Sequence, residues 1–330
     1  MALAVLTGAS GLLGANLAIE LLRQGHTVRA TRRGTSKVAQ LDGHAIEWVT
    51  ADLSDVEALT RAFRGADVVF HCAAMTSIVK KVFPSIRQAN VEGTAHVVEA
   101  VRKSGARRLV YCSSTVAVGL SENGEPCDES AVWNFDKFRL DDAYVTTKHQ
   151  AEELLLAEVK KGDLDAVVVN PGFMFGPLDT RPSSGRFIVE VVRGRAPGKS
   201  PGFNSFVDVR DVARGMVLAW HKGRAGERYI LAGENVDYGT MMDLVAKVAG
   251  VKAPRFYVPR VFSYPLGWFG DLQELMGKEP LINSIALRHG FGTRFLFSSA
   301  KAERELGWTR GPLEDAIRDA LAWFKQAGML

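Results

Sequence analysis

Cysteine is scarce in this chain and follows no pattern. Cys72, Cys112 and Cys127 are the only three among 330 residues. Their odd number and wide spacing exclude a disulfide framework and a thiolate metal site, and suit a reducing compartment. No apolar run reaches the length needed to span a bilayer. The first apolar run begins at residue 2 with no charged segment before it, so no secretory signal fits and a cytoplasmic location is expected. Neither sign of charge dominates: 41 Lys and Arg against 37 Asp and Glu leave +4, too little to indicate nucleic acid. Internal repeats and low-complexity tracts are lacking as well. What remains, at 47% hydrophobic and 24% charged residues, is an ordinary globular composition. It has room for one large domain or a nucleotide-binding part with a smaller companion.

The most informative stretch is L-A-V-L-T-G-A-S-G-L-L-G, residues 3–14. A short apolar strand runs into Gly8, Gly11 and Gly14 and then into a helical pattern carrying Leu17, Leu21 and Leu22 on one face. A strand that turns abruptly into a helix N-terminus leaves backbone N–H groups pointing outward. Glycine lets a diphosphate approach that backbone, and the helix dipole favours its charge. Gly8, Ser10, Gly11, Leu12, Leu13 and Gly14 are therefore candidate cofactor contacts.

Two periodicities then alternate. Apolar runs fall at 3–6, 27–30, 45–49, 67–71, 108–112 and 166–169, and helical patterns at 12–24, 56–63, 86–104 and 143–161. This predicts right-handed βαβ units and a parallel sheet covered on both faces. After Asn170 the regularity fades into a segment punctuated by Pro171, Gly172, Gly176, Pro177, Pro182 and Gly185. Helices are expected at 187–193 and from about Asp208, Tyr238 and Leu313, with an added outer strand at 227–231. The expected fold is α/β, a Rossmann-type doubly wound parallel sheet over 1–170. A smaller, loop-rich C-terminal part over 171–330 is expected to interleave with it and hold the substrate.

At the end of the second strand, where an NAD-binding fold carries an acid for the ribose hydroxyls, this chain has Arg32 and Arg33. Guanidinium forks bind a 2′-phosphate that a carboxylate would repel. NADP(H) is expected over NAD(H), with Lys37 as a third cation; the competing reading is a solvated basic turn. Asp52, followed by Leu53, is placed to accept a hydrogen bond from adenine, although Asp52 or Ser54 could instead cap the next helix, and Ser54 suits capping better. Ala73 and Ala74, after His71-Cys72, are small enough for the backbone to approach the cofactor. His71, Cys72 and Cys112 read as packed strand-end residues.

Y-V-T-T-K sets Tyr144 and Lys148 one helical turn apart on one face. R-R-L-V-Y-C-S-S-T leaves Ser113, Ser114 and Thr115 at the end of a buried strand. With T-G-A-S-G-L-L-G, these residues resemble the short-chain dehydrogenase/reductase superfamily in its extended branch, the NAD(P)-dependent epimerases and dehydratases. The resemblance covers nearly the whole chain, including A-N-V-E-G-T around Asn90, N-P-G-F-M-F-G-P from Asn170 through Pro171, and F-V-D-V-R-D-V-A from Phe206. Dihydroflavonol reductase-like and 3β-hydroxysteroid dehydrogenase-like members are the most alike.

That resemblance implies hydride transfer between nicotinamide C4 and a carbonyl or alcohol carbon, with Tyr144 as general acid or base. A phenol of pKa ~10 is a poor base at neutral pH. Lys148 supplies one cation and the oxidised nicotinamide ring another; one charge a few ångström away, at an effective dielectric of about 20, is worth on the order of 3–4 kcal/mol before desolvation, enough to move the phenol toward neutrality. The family also implies that Lys148 binds the nicotinamide ribose and that a serine hydroxyl steadies the developing oxyanion. Counting back from Gly119 gives Ser114, with Ser113 and Thr115 left open. Asn90 matches an asparagine that holds a water beside the lysine, or else satisfies local backbone groups. A homodimer through the helices at 86–104 and 143–161 is implied as well.

For the substrate, Phe173, Met174, Phe175, Phe203, Phe206, Phe256, Tyr257, Phe262, Tyr264, Trp268 and Phe269 suggest an apolar pocket for a hydrophobic ketone, aldehyde or sterol-like alcohol, although core packing is the default for each alone. Prolines and glycines across 257–269 read as an irregular lid. Contact of 256–276 with a membrane surface is the lesser alternative. The other functions to weigh are a nucleotide-sugar epimerase or dehydratase with recycled cofactor, which generally favours NAD, and a non-catalytic NADP-binding regulator, which tends to lose the tyrosine or lysine.

Overall fold

Each early apolar run becomes a strand in a computed structural model, which describes residues 1–76, 84–196, 198–276 and 283–330, with backbone alone at 260, 262–264 and 266. In chain order the strands are β1 (Leu3–Thr7), β2 (Thr27–Arg32), β3 (Ile46–Thr50), β4 (Val68–His71), β5 (Leu109–Cys112), β6 (Ala166–Pro171), β7 (Phe173–Phe175), β8 (Phe203–Asp208), β9 (Arg228–Leu231) and β10 (Glu234–Asp237). Seven of them form one sheet, ordered β3-β2-β1-β4-β5-β6-β9, and every pairing in it is parallel. The outer strand expected at 227–231 is β9, beside β6.

Side chains alternate between two buried faces, as a period of two demands. Ala4, Leu6, Val68, Phe70, Val110, Val167 and Val169 point to one core with the helices Leu12–Arg23 and Val209–Lys222. Val5, Val69, Leu109, Tyr111 and Val168 point to the other, with the helices Val56–Phe63, Gly93–Ser104 and Ala143–Val159. The chain winds outward from β1 through β3 and then returns to β4 on the other side of β1. The crevice created by that reversal lies at the C-terminal strand ends.

A second sheet, β10-β8-β7, carries the C-terminal part. Its core gathers Phe175, Phe206, Met241, Ile317 and Phe324 under the helices Gly185–Val192, Tyr238–Ala249 and Leu313–Gln326. Asp208 links the two parts: it caps the helix Val209–Lys222 through Arg210 N, and the Arg210 guanidinium bridges Asp208 and Asp319, both at 2.6 Å. The motif F-V-D-V-R-D-V-A thus does its work as a brace.

One expectation is refined and one corrected. The helix expected at 86–104 runs unbroken over 84–104, with a π-turn at Gln88–Glu92 between Pro84–Arg87 and Gly93–Ser104. The wide turn faces Asn90 inward, where its side chain meets Met75 and Thr147, a packing demand that periodicity does not reveal. The supposed lid at 257–269 is largely helix, Arg260–Leu275, with Pro265 inside it.

Asp179 is 3% exposed and accepts one hydrogen bond, from Gly185 N at 3.2 Å. Burial pushes its carboxyl up to about 6 from an ordinary 3.8, so the folded state holds the proton more tightly than the unfolded one. Its contribution is therefore complete below pH ~4 and lost as pH rises through ~6, a difference of at most about 3 kcal/mol. Asp179→Asn keeps an acceptor without the charge. Urea unfolding should show the variant about 1–2 kcal/mol more stable than the native chain at pH 8, and the gap should close at pH 4.

Candidate active site

Gly8 has φ +78°, and a Cβ there would sit 2.5 Å from Ala73 N. The turn after β1 thus lies against the loop after β4, and only glycine permits the contact. At Gly14 a Cβ would meet Gly8 O at 2.2 Å, which seats the helix Leu12–Arg23 on the turn. Gly11 differs: the nearest atom to its ideal Cβ is Gly8 O at 3.4 Å, and the helix opens there without a side-chain cap. The two outer glycines are filled by the protein, and the middle one faces open space beside the N–H groups of Leu12 and Leu13. That geometry fits a diphosphate. Ser10 is tied from behind, its carbonyl accepting from Gln40 Nε2 at 3.0 Å.

Farther along the same edge, the Arg32 guanidinium lies over the Trp48 ring at 5.6 Å. Arg33 and Lys37 are exposed. Asp52 is exposed too, and hydrogen bonds from Ser54 N and Oγ, then the charge of Arg33, hold its carboxyl below the usual range. Neither Asp52 nor Ser54 caps the next helix. Asp55 does, accepting from Ala58 N at 2.8 Å, because Asp52 is already occupied in its own turn with Ser54. The Leu53 side chain packs against Gly93, Ala73 lies directly against Gly8, and Ala74 after it is exposed.

The helix Ala143–Val159 begins at Asp142, whose Oδ1 accepts from Tyr144 N at 2.9 Å and Val145 N at 3.0 Å. Asp142 is 4% exposed, and its Oδ2 meets His289 Nε2 at 3.2 Å. One turn on, Lys148 is 2% exposed; its Nζ donates to Cys112 O at 2.7 Å and the Tyr111 hydroxyl at 3.0 Å. Burial pushes the Tyr144 phenol up, against the opposing pull of Lys148 and of a hydrogen bond from Ser114, and the net direction is upward. With Lys148 as the one cation beside it among the described residues, desolvation of the phenolate outweighs the lysine's field.

Of the three hydroxyls left open by the sequence, Ser114 is the one that reaches Tyr144. Ser113 lies near Glu152, but its Oγ is buried without a hydrogen-bond partner among the described residues. Glu152 is 1% exposed, one turn past Lys148, and accepts from Asn170 Nδ2 at 2.7 Å and Arg228 at 3.1 Å. Asn170, just before the buried Pro171, also donates to Ser114 O at 3.0 Å. Asn90 is a clamp: its Oδ1 accepts from Met75 N at 2.7 Å, and its Nδ2 donates to Met75 O at 2.9 Å and Thr147 Oγ1 at 3.0 Å. Sequence reasoning missed Asp142, Tyr111 and Glu152. The acid ahead of the helix and the i, i+4, i+8 series Tyr144, Lys148, Glu152 were the available signals.

His71 packs as expected. Thr94 donates its hydroxyl to Asn90 O, so its oxygen accepts from His71 Nε2, and Nδ1 accepts from Thr7. Burial, then the nearby Lys148, drives its pKa down to about 3, so the ring is neutral. The aromatics read as pocket-forming do not surround one cavity. Phe175 and Phe206 are fully buried in core, whereas Phe256, Tyr257, Trp268 and Phe269 are exposed; the side chains of Phe262 and Tyr264 lie outside the described residues. Phe173 and Met174 remain half-buried after β6. A separate open cleft of about 450 Å³, bordered by Asp67, Arg107, Arg108, Asp165 and Trp220, lies at the N-terminal strand ends, away from these groups.

Comparison with known proteins gives a consistent picture. The profile described as "NAD dependent epimerase/dehydratase family" matches residues 4–232. The chain is 33% identical over 328 residues to a putative dihydroflavonol 4-reductase of Synechocystis sp., covering 98% of this chain and 94% of that one. It is 35% identical over 331 residues to sterol demethylase protein B of Methylococcus capsulatus, covering 99% of each. The crystal structure of gox2253 superposes with a TM-score of 0.87 at 33% identity over 100% of both chains.

The glycine geometry separates folding from binding. Gly14→Ala should cost about 2–4 kcal/mol of stability, since backbone must shift. Gly11→Ala should melt within about 3 °C of the native chain, yet weaken NADPH by about tenfold or more in a fluorescence titration. A Gly11→Ala variant with native affinity would show that no diphosphate rests there.

Proposed function

Because the chain belongs to the NAD dependent epimerase/dehydratase family, in the extended branch of the short-chain dehydrogenases/reductases, we propose that it is an NADP(H)-dependent oxidoreductase acting on a carbonyl or secondary alcohol of a hydrophobic substrate. NAD(P)-dependent reductase or dehydrogenase chemistry at CH–OH groups comes with the family and its named relatives. The observation that carries the finer reading is the meeting of the Tyr144 phenol, the Ser114 hydroxyl and the buried Lys148 ammonium beside the open glycine turn.

In reduction, Tyr144 gives its Oη proton to the oxygen that becomes the alcohol; in oxidation it takes that proton back. Ser114 donates to the same oxygen as negative charge builds. Lys148, with two of its three N–H groups committed to Cys112 and Tyr111, keeps one for the cofactor ribose and favours the phenolate through its charge. When bound, the nicotinamide gives or accepts hydride at C4. The uncapped helix start would hold the diphosphate, Arg32 and Arg33 the 2′-phosphate, and Asp52 the adenine amino group. Arg32, held over the Trp48 ring, supports NADP(H), since a guanidinium stands where an NAD-binding chain carries an acid. Half-buried Phe173 and Met174, and a relative named for a sterol, support a hydrophobic substrate.

Tyr144→Phe should lower kcat at least about a hundredfold while changing NADPH affinity less than about threefold. Retained turnover removes Tyr144 from the chemistry. Lys148→Met should move the apparent pKa for alcohol oxidation upward by about one pH unit or more, since the phenolate loses its cation. Arg32→Ala with Arg33→Ala should weaken NADPH by about 10–100-fold and leave NADH nearly unchanged. Should a nucleotide sugar isomerise with no net change in reduced nicotinamide, the chain is an epimerase instead.

A further inference from the structure

The helix Arg260–Leu275 is inside out for a protein surface. Its inner contacts use glycine: Gly267 and Gly270 are buried, and a Cβ on Gly267 would lie 3.0 Å from Ser284 Cα. Val261, Trp268, Leu272 and Leu275, at spacings of seven, four and three residues, form one outward stripe, with Phe269 and Met276 beside it. Trp268 is 83% exposed and Leu275 80%. A contiguous face of large apolar side chains on a helix is abnormal in water and calls for an occupant.

Charge indicates which occupant. Among the described residues of 251–294, every exposed charged side chain is a cation: Lys252, Arg255, Arg288 and Arg294. The acids Asp271 and Glu274 turn inward instead, Asp271 accepting from Ser284 N at 3.0 Å and Glu274 from Asn283 Nδ2 at 3.2 Å. A second copy docked on this face would bring like charges together. An anionic lipid surface would favour the apolar stripe, the exposed indole and the cations of the flanking segments. Among the described residues no helix is long and apolar enough to cross a membrane, so the contact is with the surface.

We propose that the helix Arg260–Leu275, with the exposed cations of its flanking segments, docks this protein on anionic phospholipid bilayers. The place of the helix gives docking a consequence for the cleft. It packs on the helix Ser284–Phe291, from which His289 reaches Asp142, the cap of the Tyr144 helix, and Arg288 reaches Arg139 O at 3.0 Å. The docked face therefore adjoins the rim of the site. Docking can be scored without turnover.

The test is flotation of the full chain with vesicles of phosphatidylcholine mixed with phosphatidylglycerol, against phosphatidylcholine alone. Binding is expected to the mixed vesicles, falling as sodium chloride is raised. The double variant Trp268→Glu, Leu275→Glu should lose at least about tenfold in partitioning, with its melting temperature and NADPH titration unchanged as evidence that it folds. No flotation with anionic vesicles overturns the proposal, as does equal binding to neutral ones or undiminished binding by the variant. A native dimer that the same substitutions split, with no vesicle binding, assigns the face to a second copy and equally overturns it.

Discussion

A single buried ammonium governs the arrangement of the candidate site. Lys148 sits almost wholly out of water at the end of β5, held by a backbone carbonyl and a phenol. Neutral dipoles of this kind satisfy its donors but do not cancel its charge. Among the described residues no carboxylate hydrogen-bonds to it; the buried Glu152, one turn farther on, is matched to Arg228. With Tyr144 neutral, the Lys148 neighbourhood carries an uncompensated positive charge, and ionisation of the phenol would cancel it. Burial opposes that ionisation and the lysine favours it, with burial ahead. A further positive charge beside the phenol would tip this balance, which is what an oxidised nicotinamide brings in the proposed reaction.

Keeping that balance requires three segments distant in sequence to stay within hydrogen-bond reach, and the chain uses buried polar side chains as ties. Asp142 fixes the first turn of the tyrosine helix. Asn90 clamps the loop after β4 to Thr147 on the same helix. Asn170 joins the end of β6 to Ser114 and Glu152. Each tie is nearly or fully buried, so leaving either end unpaired would cost about 1–3 kcal/mol. The motifs that look chemical in the sequence are, in several cases, positioning devices: Asn90 orders a loop, and Asp208 with Arg210 braces two layers.

The glycine turn, the βαβ alternation, the outer strand and the pairing of Tyr144 with Lys148 were all legible in the residues, because each is a spacing along a strand or within one helical turn. The small sheet was not. β7 has only three residues, and β8 and β10 pair across an intervening helix, which leaves no periodic trace. The helix Arg260–Leu275 was hidden by its proline and by glycines that serve as its packing surface, where a glycine normally signals a break. Ser54 suited a cap on local grounds, yet Asp55 took that role once Asp52 had engaged Ser54.

By itself the sequence determined much that depends on neighbours within a few residues: the strands of the large sheet, the glycine turn after β1, and which side chains share a helix face. Only the tertiary structure decided which serine meets the phenol, the direction in which that phenol titrates, that Asn90 clamps a loop, and which aromatics lie in core and which in solvent. These are matters of burial and of contacts between segments tens to hundreds of residues apart, set by how layers cross and by what each excludes from water, and no local spacing encodes them.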